Sequence, residues 1–236
     1  MTSADSRPTP DSLASTLTER QREAVEYTDG PLLIVAGPGS GKTRVMSHRI
    51  AYLIGELDIP AWQVLAVTFT NKAARELRER CERLLGGDVP DLQVRTFHSW
   101  GSQVLRREGG RVGLEPGFSI YDDDDQIRLM RQILDQLKVD TKRYAPRAIL
   151  GIISDAKNIL LDAQHFEPSV GSYFEEIASR AYELYEKRLR EANAVDFDDL
   201  LLITHRLLDS NIDLLETYQR RYKHLLIDEF QDTNPI

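Results

Sequence analysis

Apolar residues along this chain fall into two patterns: short continuous runs, and longer stretches in which they recur every three or four positions. Four runs are rich in β-branched and aromatic residues: Leu32 to Val35, Val64 to Thr70, Gln93 to His98 and His224 to Phe230. Runs of this length without strict alternation predict strands buried on both faces, as in a parallel sheet covered by helices. Helical spacing follows the first run at Val45, Met46, Ile50, Leu53, Ile54 and Leu57, and the second at Ala73, Ala74, Leu77, Cys81 and Leu84. The expected fold class is therefore α/β, a parallel sheet with helices between its strands.

The stretch from about 107 to 191 breaks that alternation. Helical spacing runs through Ile127, Met130, Ile133, Leu134 and Leu137, then Ile149, Ile152, Ile153 and Ala156. A third pattern joins Phe174, Ile177, Ala178, Ala181, Tyr185 and Leu189, and no strand run of comparable strength lies between them. This predicts an all-helical domain at 107–191, inserted into an α/β domain formed by 16–106 and 192–236. Helices expected from Asp196 to Leu208 and from Ile212 to Tyr222 return the chain to its last strand. Residues 1–15, rich in Ser, Thr, Pro and Asp without apolar periodicity, predict a mobile tail. Structure is expected to begin at Leu17, with Thr18 as an N-cap and Gln21 completing a capping box. Asp122, ahead of Asp123 to Asp125, and Asp196, ahead of Asp198 and Asp199, read as helix starts rather than metal clusters.

Between the first run and its helix stands Ala36-Gly37-Pro38-Gly39-Ser40-Gly41-Lys42-Thr43. A loose match to a Walker A loop arises by chance in roughly one chain in fifty at ordinary residue usage. Here an apolar run precedes it and a helical pattern follows, which is the context the motif requires. In such a loop, backbone N–H groups wrap phosphate oxygens, Lys42 reaches the β- and γ-phosphates, and Thr43 offers its hydroxyl to Mg²⁺. Ala36 stands where a strict pattern has glycine, and a small residue suffices there. The last run ends on Asp228 and Glu229, one carboxylate for a metal and one for a water, so the parts needed to attack a γ-phosphate are gathered in one chain.

Composition adds exclusions. The formal net charge of -8 argues against bulk attraction to nucleic acid and excludes a polybasic tail, although a groove needs only a few well-placed cations and amides. No apolar run approaches bilayer-spanning length and the N-terminus has no secretory pattern, so the expected location is the cytoplasm. Cys81, the single cysteine, falls on an apolar helical stripe and reads as core. His48, His165, His205 and His224 show no zinc-ligand spacing.

Phe69-Thr70-Asn71-Lys72 and Thr96-Phe97-His98-Ser99 lie at the C-terminal ends of the second and third predicted strands, the edge where open α/β sheets bind ligands. Each pairs an aromatic ring with small hydrogen-bonding groups, which suits base stacking and phosphate contact on a single strand. Composition alone equally allows Phe69 and Phe97 to pack in the core while the polar residues cap helices.

LTERQREAV, AGPGSGKT, VTFTNKAAREL, RTFHSW, NAVDFDDLL and LLIDEFQDTN occur in the order and spacing of one family. From about Leu17 to its C-terminus the chain resembles the N-terminal half of UvrD/PcrA/Rep-type superfamily-one DNA helicases. The resemblance implies a RecA-like P-loop NTPase sheet, domain 1A, with a helical insertion, domain 1B. It implies that Gln21 reads the adenine edge and that Ala36, Gly37, Pro38, Gly39, Ser40, Gly41, Lys42, Thr43 and Arg44 complete the nucleotide site. Lys42, Asp228 and Glu229 take the catalytic roles, with Thr43 and Asp228 on Mg²⁺ and Glu229 as general base. Phe69, Thr70, Asn71, Lys72, Thr96 and His98 are then the residues that hold single-stranded DNA.

The family's implied activity is ATP-driven 3′-to-5′ unwinding, with ATP and Mg²⁺ as cofactors and single-stranded DNA and single-strand/duplex junctions as partners. Its second RecA-like domain supplies arginines at the γ-phosphate, and the sequence stops before it. The sheet of domain 1A is expected to lack one strand and leave an edge unpaired. Two readings follow: an N-terminal piece of a helicase, or a nucleotide- or DNA-binding module without productive turnover. Retention of Lys42 and Glu229 favours the first, while the 236-residue chain by itself is expected to turn ATP over slowly. A P-loop kinase or GTPase fits poorly, since nothing resembles an acceptor-substrate site or a guanine-reading motif.

Overall fold

The computed structural model describes residues 16–234 and 236; the tail expected at 1–15 lies outside them. Along the chain come α1 (Glu19–Glu26), α2 (Lys42–Gly55), β1 (Val64–Thr68), α3 (Asn71–Leu85) and β2 (Gln93–Thr96). Next are α4 (Phe97–Glu108), β3 (Ser119–Ile120), α5 (Asp123–Gln136), α6 (Pro146–Asn158), α7 (Tyr173–Glu191) and β4 (Ala194–Val195). Last come α8 (Phe197–Asp209), α9 (Ile212–Arg221) and β5 (His224–Ile227). Side-chain caps set most of the starts: Thr18 opens α1, Thr70 α3, Asp122 α5, Ser172 α7 and Asp196 α8. Gln21 and Asp199 reach back to close capping boxes at α1 and α8.

Two compact units divide the described residues, 16–97 with 215–233, and 98–214 with 234 and 236. The first is mixed α/β, with a parallel three-stranded sheet in the order β2-β1-β5. β1 is buried along its whole length, as a central strand covered on both faces must be. Its core joins Met46 and Ile50 of α2, Val64 and Ala66 of β1, Leu77 and Cys81 of α3, and Val94 of β2. Cys81 is fully buried, and burial pushes its thiol up to about 12.

The expected strand at Leu32 to Val35 is not formed. Residues 31–37 have no regular secondary structure, and Leu33 and Val35 are 71% and 87% exposed. A parallel strand exists only by pairing its N–H and C=O groups with a neighbour. β5 ends the sheet, and no described strand stands beyond it to pair this segment. An apolar run signals a preference for burial, not the presence of a partner.

The second unit is helical, with α5, α6 and α7 packed around Met130, Leu134, Ile149, Ile153, Ala178, Tyr182 and Tyr185. It also holds a short parallel pairing, Ser119 with Ala194 and Ile120 with Val195, so it is not wholly helical. Two-residue strands are too brief to leave a periodic signal. α8, and α4 from His98 onward, belong to this unit, whereas hydrophobic spacing groups them with the sheet. α4 and α8 meet so closely that a Cβ on Gly101 would stand 2.5 Å from the Leu200 carbonyl oxygen.

Candidate nucleotide and nucleic-acid site

No side chain caps α2. Its N-cap is Gly41, in the left-handed conformation at φ 90°, and Gly39 precedes it at φ 74°. A Cβ on Gly39 would meet nothing within 4 Å, so backbone conformation and not crowding calls for glycine there. The first-turn N–H groups of a helix have no intrahelical acceptor. Left without a cap behind an exposed loop, they are free to receive an anion's oxygens. Lys42 donates from Nζ to the Ala36 carbonyl at 3.2 Å, folding its ammonium back over the same loop.

Thr43 and Asp228, 185 residues apart in sequence, meet at 3.3 Å between Oγ1 and Oδ2. The Asp228 N–H donates to the Val67 carbonyl at 2.9 Å, which ties the end of β5 to β1 and aims the carboxylate at the start of α2. Glu229 follows in the left-handed region at φ 51°, a conformation that costs a non-glycine residue about 1 to 3 kcal/mol and is held by the bonds around it. Its N–H donates to Asp228 Oδ1 at 3.1 Å, and Gln231 Nε2 donates to its Oε2 at 2.5 Å. A hydroxyl and a carboxylate side by side fit Mg²⁺, an ion that keeps several waters and needs few protein ligands.

Gln21 sits at the third position of α1 with its amide over the loop. Nε2 donates to the Ser40 carbonyl at 3.0 Å, while Oε1 accepts from the Thr18 N–H at 3.0 Å. Arg44 donates to the Thr16 carbonyl at 2.8 Å. Glycine loop, Lys42, Thr43, Arg44, Gln21, Asp228 and Glu229 thus all lie in the first unit.

Among the residues expected to hold DNA, Phe69 follows β1 with its ring 65% exposed, and Thr70, Asn71 and Lys72 are exposed beside it. Thr70 also accepts the Ala73 N–H at 3.1 Å as the cap of α3. Thr96, at the end of β2, is only 7% exposed. His98 lies in the second unit, its ring 5.9 Å from that of Phe197. Burial holds the His98 pKa down, against a smaller upward pull from Asp198, and burial raises Asp198 in turn.

Sequence reasoning passed over two residues in this second unit. Phe197, read only as part of a helix start, keeps its ring 48% exposed at the first position of α8. Lys157 is fully buried and pairs through Nζ with Asp196 at 2.8 Å, Asp199 at 2.7 Å and Glu186 at 2.9 Å. Burial pulls Lys157 down, but Asp199, Asp196 and Glu186 outweigh it and leave the ammonium well above its ordinary range. Three carboxylates compete for that one cation: burial, then Asp196 and Glu186, push Asp199 up to about 7 against the pull of Lys157. A signal was present for Lys157, which stands four positions after Ile153 on an apolar stripe, but not for Phe197, whose spacing to Leu200, Thr204 and Leu207 is that of a core position.

The family model for the UvrD/REP helicase N-terminal domain matches residues 17–236. The chain is similar to the ATP-dependent DNA helicase PcrA of Bacillus subtilis, 47% identical over 94% of this chain and 30% of that protein. The helicase of the same name from Leuconostoc citreum is 45% identical over 95% of this chain and 30% of its own length. That of Staphylococcus aureus is 41% identical over 94% and 30%. The chain thus spans about 30% of the length of these relatives. With a match over all but its first 16 residues and a loop, hydroxyl and carboxylate pair at the positions its motifs mark, the chain belongs to the UvrD/REP helicase N-terminal domain family.

Proposed function

We propose that the chain is the ATP-binding portion of a 3′-to-5′ DNA helicase, its first unit the RecA-like domain 1A and its helical unit the insertion 1B. The observation that carries this reading is the meeting of Thr43 and Asp228 at 3.3 Å beside an uncapped helix start. Each residue has a task within it. The N–H groups at the start of α2 hold phosphate oxygens, and Lys42 exchanges the Ala36 carbonyl for the β- and γ-phosphates. Thr43 and Asp228 hold Mg²⁺, which when bound supplies charge against the developing negative oxygens. Glu229 accepts the proton of the attacking water, with Gln231 fixing one of its oxygens. Gln21 reads the adenine edge with its amide.

On the DNA side each unit carries its own contacts. Phe69 offers a stacking face, with Thr70, Asn71 and Lys72 for the backbone and the buried Thr96 supporting the turn behind them, and His98 with Phe197 forms a second aromatic pair. The partners are single-stranded DNA and its junctions with duplex. The arginines that the resemblance places in a second motor domain are worth about 10³ to 10⁵ in rate in related enzymes, so these 236 residues alone turn ATP over slowly.

Mg²⁺-dependent binding of a non-hydrolysable ATP analogue tests the reading. Binding is expected in the wild type and lost in Lys42→Ala, while Glu229→Gln binds normally but abolishes residual hydrolysis. A folded wild type that ignores the nucleotide would overturn the assignment. DNA-stimulated hydrolysis at a motor's rate by this chain alone would overturn the account of slow turnover.

A further inference from the structure

α1 carries Gln21, yet it is only 8 residues long and has no basic residue in its last turn. A helix that short does not hold in water through propensity alone. Its N-terminus is closed by the Thr18 capping box, while at the other end the Glu23 carbonyl receives the Tyr27 N–H. The carbonyls that follow need another donor. Arg49, from the middle of α2, provides it: Nη1 donates to Ala24 O at 3.0 Å and Val25 O at 3.2 Å, and also to Tyr27 O. A cation at a helix C-terminus is favoured by the dipole as well, and more so when half-buried as this one is.

From these contacts we infer that Arg49 is a positioning residue for base recognition: by clamping the C-terminal turn of α1 to the phosphate-binding helix, it holds the Gln21 amide over the loop. The inference rests on the reading of Gln21 as the adenine contact. Arg49 sits on the helix whose start binds phosphate, so one rigid element sets both the phosphate site and the height of Gln21 above it. Two further bonds near the N-terminal end of α1, Gln21 to Ser40 and Arg44 to Thr16, are both exposed. Without Arg49 the C-terminal turn of α1 loses its guanidinium contacts to α2, and a shift of about 1 Å is enough to break a hydrogen bond of ordinary length.

The test is calorimetric binding of ATP, ITP and inorganic tripolyphosphate, each with Mg²⁺, to the wild type, Arg49→Met, Arg49→Lys, Gln21→Ala and the Arg49→Met/Gln21→Ala double variant. ITP lacks the N6 amine that an amide reads. Arg49→Met is expected to weaken ATP about tenfold, to leave tripolyphosphate unchanged, to erase the preference for ATP over ITP, and to add nothing in the Gln21→Ala background. Arg49→Lys, whose ammonium lacks the planar fork, is expected to fall between, and it decides the matter if Arg49→Met fails to fold. A variant that keeps the wild-type preference overturns the inference, as does one that loses ATP and tripolyphosphate alike. A wild type that binds ATP and ITP equally overturns the adenine reading itself, a result distinct from the other two.

Discussion

Lys157→Met removes the only ammonium that reaches Asp196, Asp199 and Glu186 in the described structure and leaves a flexible apolar side chain of similar length. The lysine side chain has no exposed surface, those of Asp196 and Asp199 are each 3% exposed, and that of Glu186 is 20% exposed. Breaking a buried pair strands the remaining charge, at a cost of about 3 to 5 kcal/mol. Measured against a total stability of about 5 to 15 kcal/mol, that is a large fraction. The loss also depends on pH. In the wild type Asp199 is raised from 3.8 to about 7, so its contribution is fully present below the unfolded value and is lost as pH rises through about 7. Lys157 lies well above 10.5, so its contribution is present across neutral pH and is lost only above that range. Once the cation is gone, nothing offsets the buried charge that Asp199 takes on as pH rises. Urea unfolding at about pH 5 and about pH 8 should therefore show the larger loss at the higher pH. A loss below about 1 kcal/mol, the scale of a surface ion pair, or an equal loss at both pH values, would refute this account of the cluster.

Gly101→Ala places a methyl group 2.5 Å from the Leu200 carbonyl and 3.1 Å from Thr204 Oγ1, so α4 and α8 must separate. The expected loss is about 1 to 3 kcal/mol by thermal or urea unfolding, and an unchanged midpoint would show that the contact yields freely. Phe69→Ala removes a ring that is 65% exposed, so it should leave stability unchanged while weakening single-stranded DNA by about 1 to 3 kcal/mol in a fluorescence titration. A destabilised protein with unaltered DNA affinity would return Phe69 to a packing role. Cys81, buried with its thiol pushed up to about 12, should resist an aromatic disulfide reagent until urea unfolds the chain. Rapid labelling in the native state would mean that α3 opens locally.

What the sequence revealed, and what it hid, divides along a physical line. Local chemistry was readable: Thr18 with Gln21, Asp122 and Asp196 cap helices as their spacing indicates, because a cap involves residues three apart. Helical stripes in the second unit were readable for the same reason, and Cys81 lies in the core that its stripe predicts. Pairing was not. Leu32 to Val35 carries every local mark of a strand and forms none, since a ladder depends on a neighbour that the run itself cannot specify. Arg49 and Lys157 were hidden by a related ambiguity. A cation within a helical pattern reads as surface until one knows which carbonyls or carboxylates the next element brings to it, yet Arg49 is half-buried against three backbone oxygens and Lys157 fully buried against three side chains. Desolvating a cation is costly without such partners, so a lysine or arginine on an apolar stripe implies acceptors elsewhere in the chain. For Lys157 they stood in the motif NAVDFDDLL, whose first and last aspartates cap α8 while they bind the ammonium. The helix start that presents Phe197 is thus built around a charge supplied by α6: Asp196 and Asp199 are spent inside the fold, and Phe197 between them stays 48% exposed.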